Sequence, residues 1–204
     1  MIRLPIVRIP VDTFDELVTA ARAGGDWAFG RIWEELSPVV AGYLRGRGIP
    51  EVDDVTSEVF LAAFRGLATF EGDGPQFRSW IFTIAHHRGV DALRAGTAAG
   101  THVEYSAQTD ARVSDSAEDA ALSTVRLTEL GVFLDQLTPD QREVVLLRFV
   151  ADLSLEQVSE VTGRPVGAVK QLQRRGLLAL RRHLDGATSS EPVSHHPALS
   201  ITEL

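Results

Sequence analysis

Three observations predict an all-α fold of two small helical domains joined by a flexible linker. Large apolar residues recur at spacings of three and four along most of the chain, and no stretch alternates at a period of two. Between residues 96 and 119 the composition turns to Ala, Gly, Ser, Thr and Asp, with hardly any large apolar side chain. With 204 residues and 44% hydrophobic content, the rest can still build cores for one ordinary domain or two small ones.

The elements follow in order. Residues 12–24 read as a short helix, with Thr13 and Glu16 in a capping-box pattern and Phe14, Leu17 and Val18 on its apolar side. Gly24-Gly25 breaks it. A second helix from Asp26 carries Trp27, Ile32, Trp33, Leu36, Val40, Tyr43 and Leu44 at mostly helical spacings, with Pro38 expected to bend or bound it. After the Gly46–Pro50 turn, Val55, Val59, Phe60, Ala63, Phe64 and Leu67 form a helical stripe, and acids gather in the first turns, where the helix dipole favours them. The segment EGDGP reads as a loop, and Pro75 suits the first turn of a fourth helix whose buried side is Phe77, Trp80, Ile81 and Ile84.

The second domain has the clearest local grammar. Thr138 caps a helix with Pro139 in its first turn and Gln141 completing a capping box; that helix is expected to end near Asp152. Ser154 caps the next, again with Gln157 three residues on, and Gly163-Arg164-Pro165 makes a tight turn into a long last helix. The predicted division is an extension with a short helix at 1–26, a helical domain at 27–95, an acidic linker at 96–119, a second domain at 120–185, and a polar tail at 186–204.

Composition narrows the function. The chain has no cysteine, which excludes disulfide frameworks, thiolate metal sites and cysteine nucleophiles and suits a reducing cytoplasm. No apolar run approaches the roughly 20 residues needed to span a bilayer, and the opening MIRLPIVRIPVD is too broken by Arg and Pro for a signal-peptide core. The expectation is a cytoplasmic protein without membrane insertion. There is no Gly-rich phosphate loop, no HExxH and no nucleophile setting, so neither an enzyme nor a cofactor is predicted. His195-His196 in the tail reads as a solvated pair before it reads as a metal site, and Asp54 with Glu58 lacks the further ligands a metal needs.

Charge is polarised. The net charge is −8, which opposes indiscriminate binding to nucleic acid. Yet from Val161 to Leu184 every charged side chain is basic, while acids cluster at Glu51–Glu58 and Glu104–Asp119. A short capped helix, a Gly-containing turn and a longer helix make a helix-turn-helix, whose second helix enters the DNA major groove. On a helical wheel Val166, Val169, Leu177, Leu180 and Leu184 fall on the side expected to pack, while Gln171, Arg174, Arg175 and Arg182 face away, with Lys170 and Arg181 at the margin. Gly167 and Ala168 at the entry let the backbone approach DNA, and Arg and Gln suit guanine and adenine edges.

With these residues in view, the chain resembles the extracytoplasmic-function (ECF) sigma factors of the sigma-70 family. Three blocks carry the likeness in the family's order: Asp53–Arg65 is similar to its polymerase-binding helix, Phe77–Arg94 to its promoter-melting helix, and Leu137–Arg175 to its C-terminal DNA-reading domain. The resemblance implies core RNA polymerase as partner, through the β′ clamp helices and the β flap, together with promoter DNA and, as is typical of such factors, an anti-sigma factor. It implies polymerase binding by Asp53, Asp54, Val55, Glu58 and Val59. It implies −10 recognition and melting by the first domain, for which the loop Thr69–Gln76 and the adjoining helix offer Phe70, Phe77, Arg78, His86, His87 and Arg88 as stacking surfaces and cations. For the −35 element it implies Arg164, Gly167, Ala168, Lys170, Gln171, Arg174 and Arg175. His86-His87 stands where the group often has Arg-Asn, Leu172-Gln173 where Arg-Leu is usual, and Ser57 where Gln is common. The alternative, a stand-alone helix-turn-helix regulator, accounts for the last domain but leaves the N-terminal block without a role.

Overall fold

The computed structural model describes residues 11–98 and 133–188; the expected linker from residue 99, the segment before residue 133, the first ten residues and the tail from 189 lie outside them. Its helices are α1 (Val11–Arg22), α2 (Asp26–Gly46), α3 (Val52–Gly66), a 3₁₀ turn at Leu67–Thr69, α4 (Gly74–Ala98), α5 (Pro139–Phe149), α6 (Leu155–Thr162) and α7 (Val166–Thr188). No strand occurs among the described residues.

The N-terminal module is a bundle of α1 to α4. In α1, Phe14, Leu17, Val18 and Ala21 are buried at the spacing that makes one face. The helix starts ahead of Thr13, so Thr13 stands within it and is not its cap, contrary to the capping-box expectation. Likewise α2 runs through Pro38 and neither ends nor restarts there. Pro38 and Glu34, whose carbonyl loses its amide partner, are both exposed, so water can replace the missing bond. Ile32, Leu36, Val40, Tyr43 and Leu44 of α2 face Val59, Phe60 and Ala63 of α3 and Phe77, Ile81, Phe82 and Ala85 of α4 within the core.

The start of α4 is more firmly set than a loop-plus-proline reading suggests. The Gln76 amide donates to Asp73 Oδ1 and the Asp73 amide donates to Gln76 Oε1, each at 2.9 Å. This is a reciprocal cap built on Asp rather than Ser or Thr. Asp15 of α1 accepts from the Gly74 amide, tying the first helix to the fourth.

In the C-terminal module both expected capping boxes form, Thr138 with Gln141 and Ser154 with Gln157. Helix α5 ends at Phe149, a turn sooner than Asp152. Gly163 closes α6 with φ +66, a left-handed conformation that a side chain resists. On α7 the buried arc differs from the wheel: Leu177 (40% exposed) and Leu184 face outward with Leu178, while Leu172, Ala179 and Leu180 pack inward beside the buried Val169. The pivot is Gly176, where a Cβ would lie 3.0 Å from Val145 Cγ2 of α5. A wheel weighted by apolar side chains cannot register a contact made by the lack of one.

The modules also pack on each other. Val144, Val145, Leu146 and Leu147 are all buried, a run no single-faced helix tolerates, because α5 lies between α7 on one side and α2 on the other. Buried residues of both modules join in one hydrophobic cluster.

Candidate nucleic-acid interface

The α7 surface is the simplest to build. Gly167, Ala168, Lys170, Gln171, Arg174, Arg175 and Arg182 are all exposed, on a helix without an acid until Asp185. The turn ahead of it is braced: Ser159 Oγ donates to the Arg164 carbonyl at 2.5 Å, and Pro165 O accepts from the Ala168 and Val169 amides. Arg164 differs from the rest. Its guanidinium is half-buried and pairs with Asp140 at 2.6 Å, so it fastens the helix-turn-helix to the start of α5. Reaching DNA would require it to leave that carboxylate.

The residues expected to meet the −10 strand are not brought together as one exposed patch. Phe77 is fully buried, with ring centroids of Phe14, Phe70 and Trp80 at 6.1, 5.4 and 5.7 Å, so its assignment to base stacking is corrected: it is a core residue. Phe70 is half-buried and stacks on Trp80 at 5.0 Å. His87 and Arg88 are exposed. Arg78 Nε donates to the Ala151 carbonyl at 2.6 Å, and His86 Nδ1 lies 2.7 Å from Glu143 Oε1, so both are engaged with the C-terminal module. Burial lowers the pKa of Arg78, partly offset by the nearby charge of Asp152.

Around Glu143 the polar groups are dense. The Arg47 guanidinium pairs with its carboxylate at 2.9 Å, Tyr43 OH stands 3.4 Å away, and Arg47 Nη1 donates to the Tyr43 oxygen at 3.1 Å. A carboxylate only accepts, so the His86 nitrogen facing it carries the proton. Burial alone would raise the Glu143 pKa, but the His86 hydrogen bond and the charges of Arg47, His86 and Arg164 outweigh it and hold the carboxyl below its ordinary value. Burial pushes the Tyr43 hydroxyl upward, which keeps it a donor. This cluster escaped sequence reasoning because its members are a hundred residues apart or sit on separate helices. The one local signal was Glu143 adjoining the otherwise apolar run Val144–Leu147.

On α3, Asp53, Asp54 and Glu58 are exposed along one side. Val55 and Val59 are corrected: both are buried, Val59 completely, and support the helix from beneath. The apolar residue that does face outward is Leu61, 51% exposed, in a shallow groove with Glu58, Ala62, Arg65 and Arg88.

A braced helix-turn-helix whose charged side chains from Lys170 to Arg182 are all basic defines a DNA-binding protein of the major-groove type. The comparisons with known proteins narrow this. The family model described as Sigma-70 region 2 matches residues 32–98, and that described as Sigma-70, region 4 matches residues 133–182. The chain is 36% identical over 172 residues to the ECF RNA polymerase sigma factor BldN of Streptomyces coelicolor, covering 83% of this chain and 65% of that protein. It is 33% identical over 192 residues to the ECF RNA polymerase sigma factor SigD of Mycobacterium tuberculosis, covering 90% and 89%. Among solved structures, CnrH in complex with the cytosolic domain of CnrY aligns at TM-score 0.64 and 27% identity, over 86% of this chain and 99% of that one. The sigma factor RpoE of Bartonella quintana, in complex with the anti-sigma factor NepR, shares the fold at TM-score 0.61 and 20% identity, over 77% and 96%. The chain belongs to the ECF RNA polymerase sigma factors of the sigma-70 family. Residues 32–98 of the N-terminal block, which a stand-alone regulator leaves without a role, match sigma region 2.

Proposed function

We propose that this sigma factor directs core RNA polymerase to its promoters by reading a duplex −35 element with α7 and by recognising and opening a −10 element with the N-terminal module. Polymerase performs the chemistry, and the chain works in the cytoplasm; no described helix is long and apolar enough to cross a membrane. The observation that carries the reading is the outer face of α7, where Lys170, Gln171, Arg174 and Arg175 stand exposed together on a helix held by two capped neighbours. Arg and Gln at such positions discriminate base edges, and the lack of acids between Val166 and Leu184 leaves the phosphates unopposed there.

The exposed carboxylates of Asp53, Asp54 and Glu58, with Leu61 beside them, form the surface we assign to the β′ clamp, and the β flap falls to the C-terminal module. The functional division follows residues 27–95 and 120–185, with 96–119 as connector. An anti-sigma factor is a further partner, as the solved relative RpoE has in NepR. The test is transcription in vitro with core polymerase on a genomic promoter library: defined start sites should appear only when the chain is added. Asp54→Lys with Glu58→Lys should abolish pull-down of core enzyme at unchanged helical content. Indifference of initiation to the chain would reject the reading.

A further inference from the structure

The outward turn of α7 leaves apolar surface that the core does not use. Leu177 and Leu178, 40% and 44% exposed, line a groove together with Leu155 from the start of α6. Lys170, Arg174 and Arg181 line it as well. Arg181 meets Asp185 at 3.8 Å, but both side chains are largely exposed and water screens the pair. A groove that joins leucines to three cations suits an apolar segment that carries carboxylates and no cation. The sequence supplies one directly after α7. Residues 189–204 contain Glu191 and Glu203 but no Lys or Arg, and Leu199, Ile201 and Leu204 stand close together in them. Leu177 lies eleven residues ahead of Thr188, the last of α7, or roughly 17 Å back along the helix axis. Residues 189–199 span up to about 36 Å when extended, so Leu199 reaches the groove with length left for the reversal. Attachment favours this occupant further, because a tethered segment meets its site at an effective concentration in the millimolar range.

We propose that residues 189–204 fold back onto the α6–α7 groove, placing Leu199, Ile201 and Leu204 on Leu155, Leu177 and Leu178 and Glu203 by Arg181, and there compete with DNA for Lys170 and Arg174. The docking rests on the groove and the segment, while its consequence for promoters rests on the −35 reading given above. An arginine with chain laid across it cannot bond a base edge, and a tail carrying carboxylates repels the phosphates that Lys170 would meet. The apparent affinity for the duplex is then the intrinsic one reduced by the fraction of chains whose groove is open.

The chain has no cysteine, so Glu160→Cys on α6 and Ser200→Cys in the tail can carry a pair of spin labels on the full-length protein, diluted with unlabelled chain. A single narrow distance distribution is expected. Leu177→Asp on the groove and Leu199→Ser with Ile201→Ser on the tail should each broaden it at unchanged helical content, since neither change touches the buried core. Arg181→Glu should broaden it too, and Arg181→Glu with Glu203→Arg should restore it. A broad distribution in the parent protein, or a narrow one that these changes leave in place, overturns the docking. A short distance seen only without dilution assigns the groove to a second copy and overturns it as well. The Leu199→Ser, Ile201→Ser variant should also bind a −35 duplex about tenfold more tightly, the gain expected if about a tenth of the chains have an open groove. A displaced tail with unchanged duplex affinity overturns the competition. Loss of core-dependent start sites would remove the sigma reading and leave the distances standing.

Discussion

The two DNA surfaces of this protein are made in opposite ways. The α7 surface comes from one helix, with Lys170, Gln171, Arg174 and Arg175 turned to solvent and its orientation set by capping boxes a few residues away. The α4 surface is composite: Phe77 has gone to the core, Arg78 and His86 are held by the other module, and His87 and Arg88 are exposed. Locality makes the first robust. The second depends on where a distant helix sits.

The sharpest way to break this contrast is Glu143→Ala. It leaves Arg47 and His86 facing each other in a buried space, a loss of about 3–5 kcal/mol while the modules stay closed. Calorimetry should show the shared unfolding transition splitting in two, whereas a single unshifted transition would mean the modules do not support each other. The same cluster sets a pH dependence. Glu143 is faced by Tyr43 from α2, Arg47 just past its end, His86 from α4 and Arg164 from the turn before α7. Its pKa in the folded form lies below the ordinary 4.5, so the unfolded chain binds the proton more readily. Its contribution to stability is therefore complete above that value and drains away as pH falls through the lowered one, a trend that Glu143→Gln should flatten in pH-dependent melting.

Next in size, Arg174→Ala or Arg175→Ala should cost about 1–3 kcal/mol of promoter affinity if that arginine reads a base. Competition binding across −35 variants checks it, and wild-type affinity on every variant would reject base readout. Asp73→Ala and Ser154→Ala each remove a helix cap, and each should cost about 1 kcal/mol in denaturant titration. The two modules should respond alike, since both caps are local. Smallest is Lys170→Ala, which should weaken binding uniformly across sequences and lower the salt-dependence slope by about 1 if Lys170 meets a phosphate.

How much could be read in advance follows the same division. Ser154–Gln157 and Thr138–Gln141 were visible because a cap and its partner are three residues apart. Asp73–Gln76 has the same spacing, yet in a Gly- and Pro-rich stretch it reads as loop. The exposed Arg174 and Arg175 were legible because a basic residue on a polar arc faces water by default. Leu177 and Leu184 face outward, against the helical wheel, because Gly176 sets the centre of contact on α7. The likeness to the polymerase-binding helix brings Val55 and Val59 into the contact set beside Asp54 and Glu58, while the apolar stripe to which they belong already places them in the core.

By itself, the amino-acid order determined the helices, their caps, the polarised charge and the basic face of α7, since each rests on interactions within a turn or two. Only the tertiary structure decided that α5 would be covered on both sides, that Glu143 would lie buried among Tyr43, Arg47 and His86, and that Arg78 would point at another module's backbone. Those outcomes depend on which surfaces fit at close range. Gly46 against Leu146 is such a fit: it arises from missing volume, which leaves no trace in hydropathy or period.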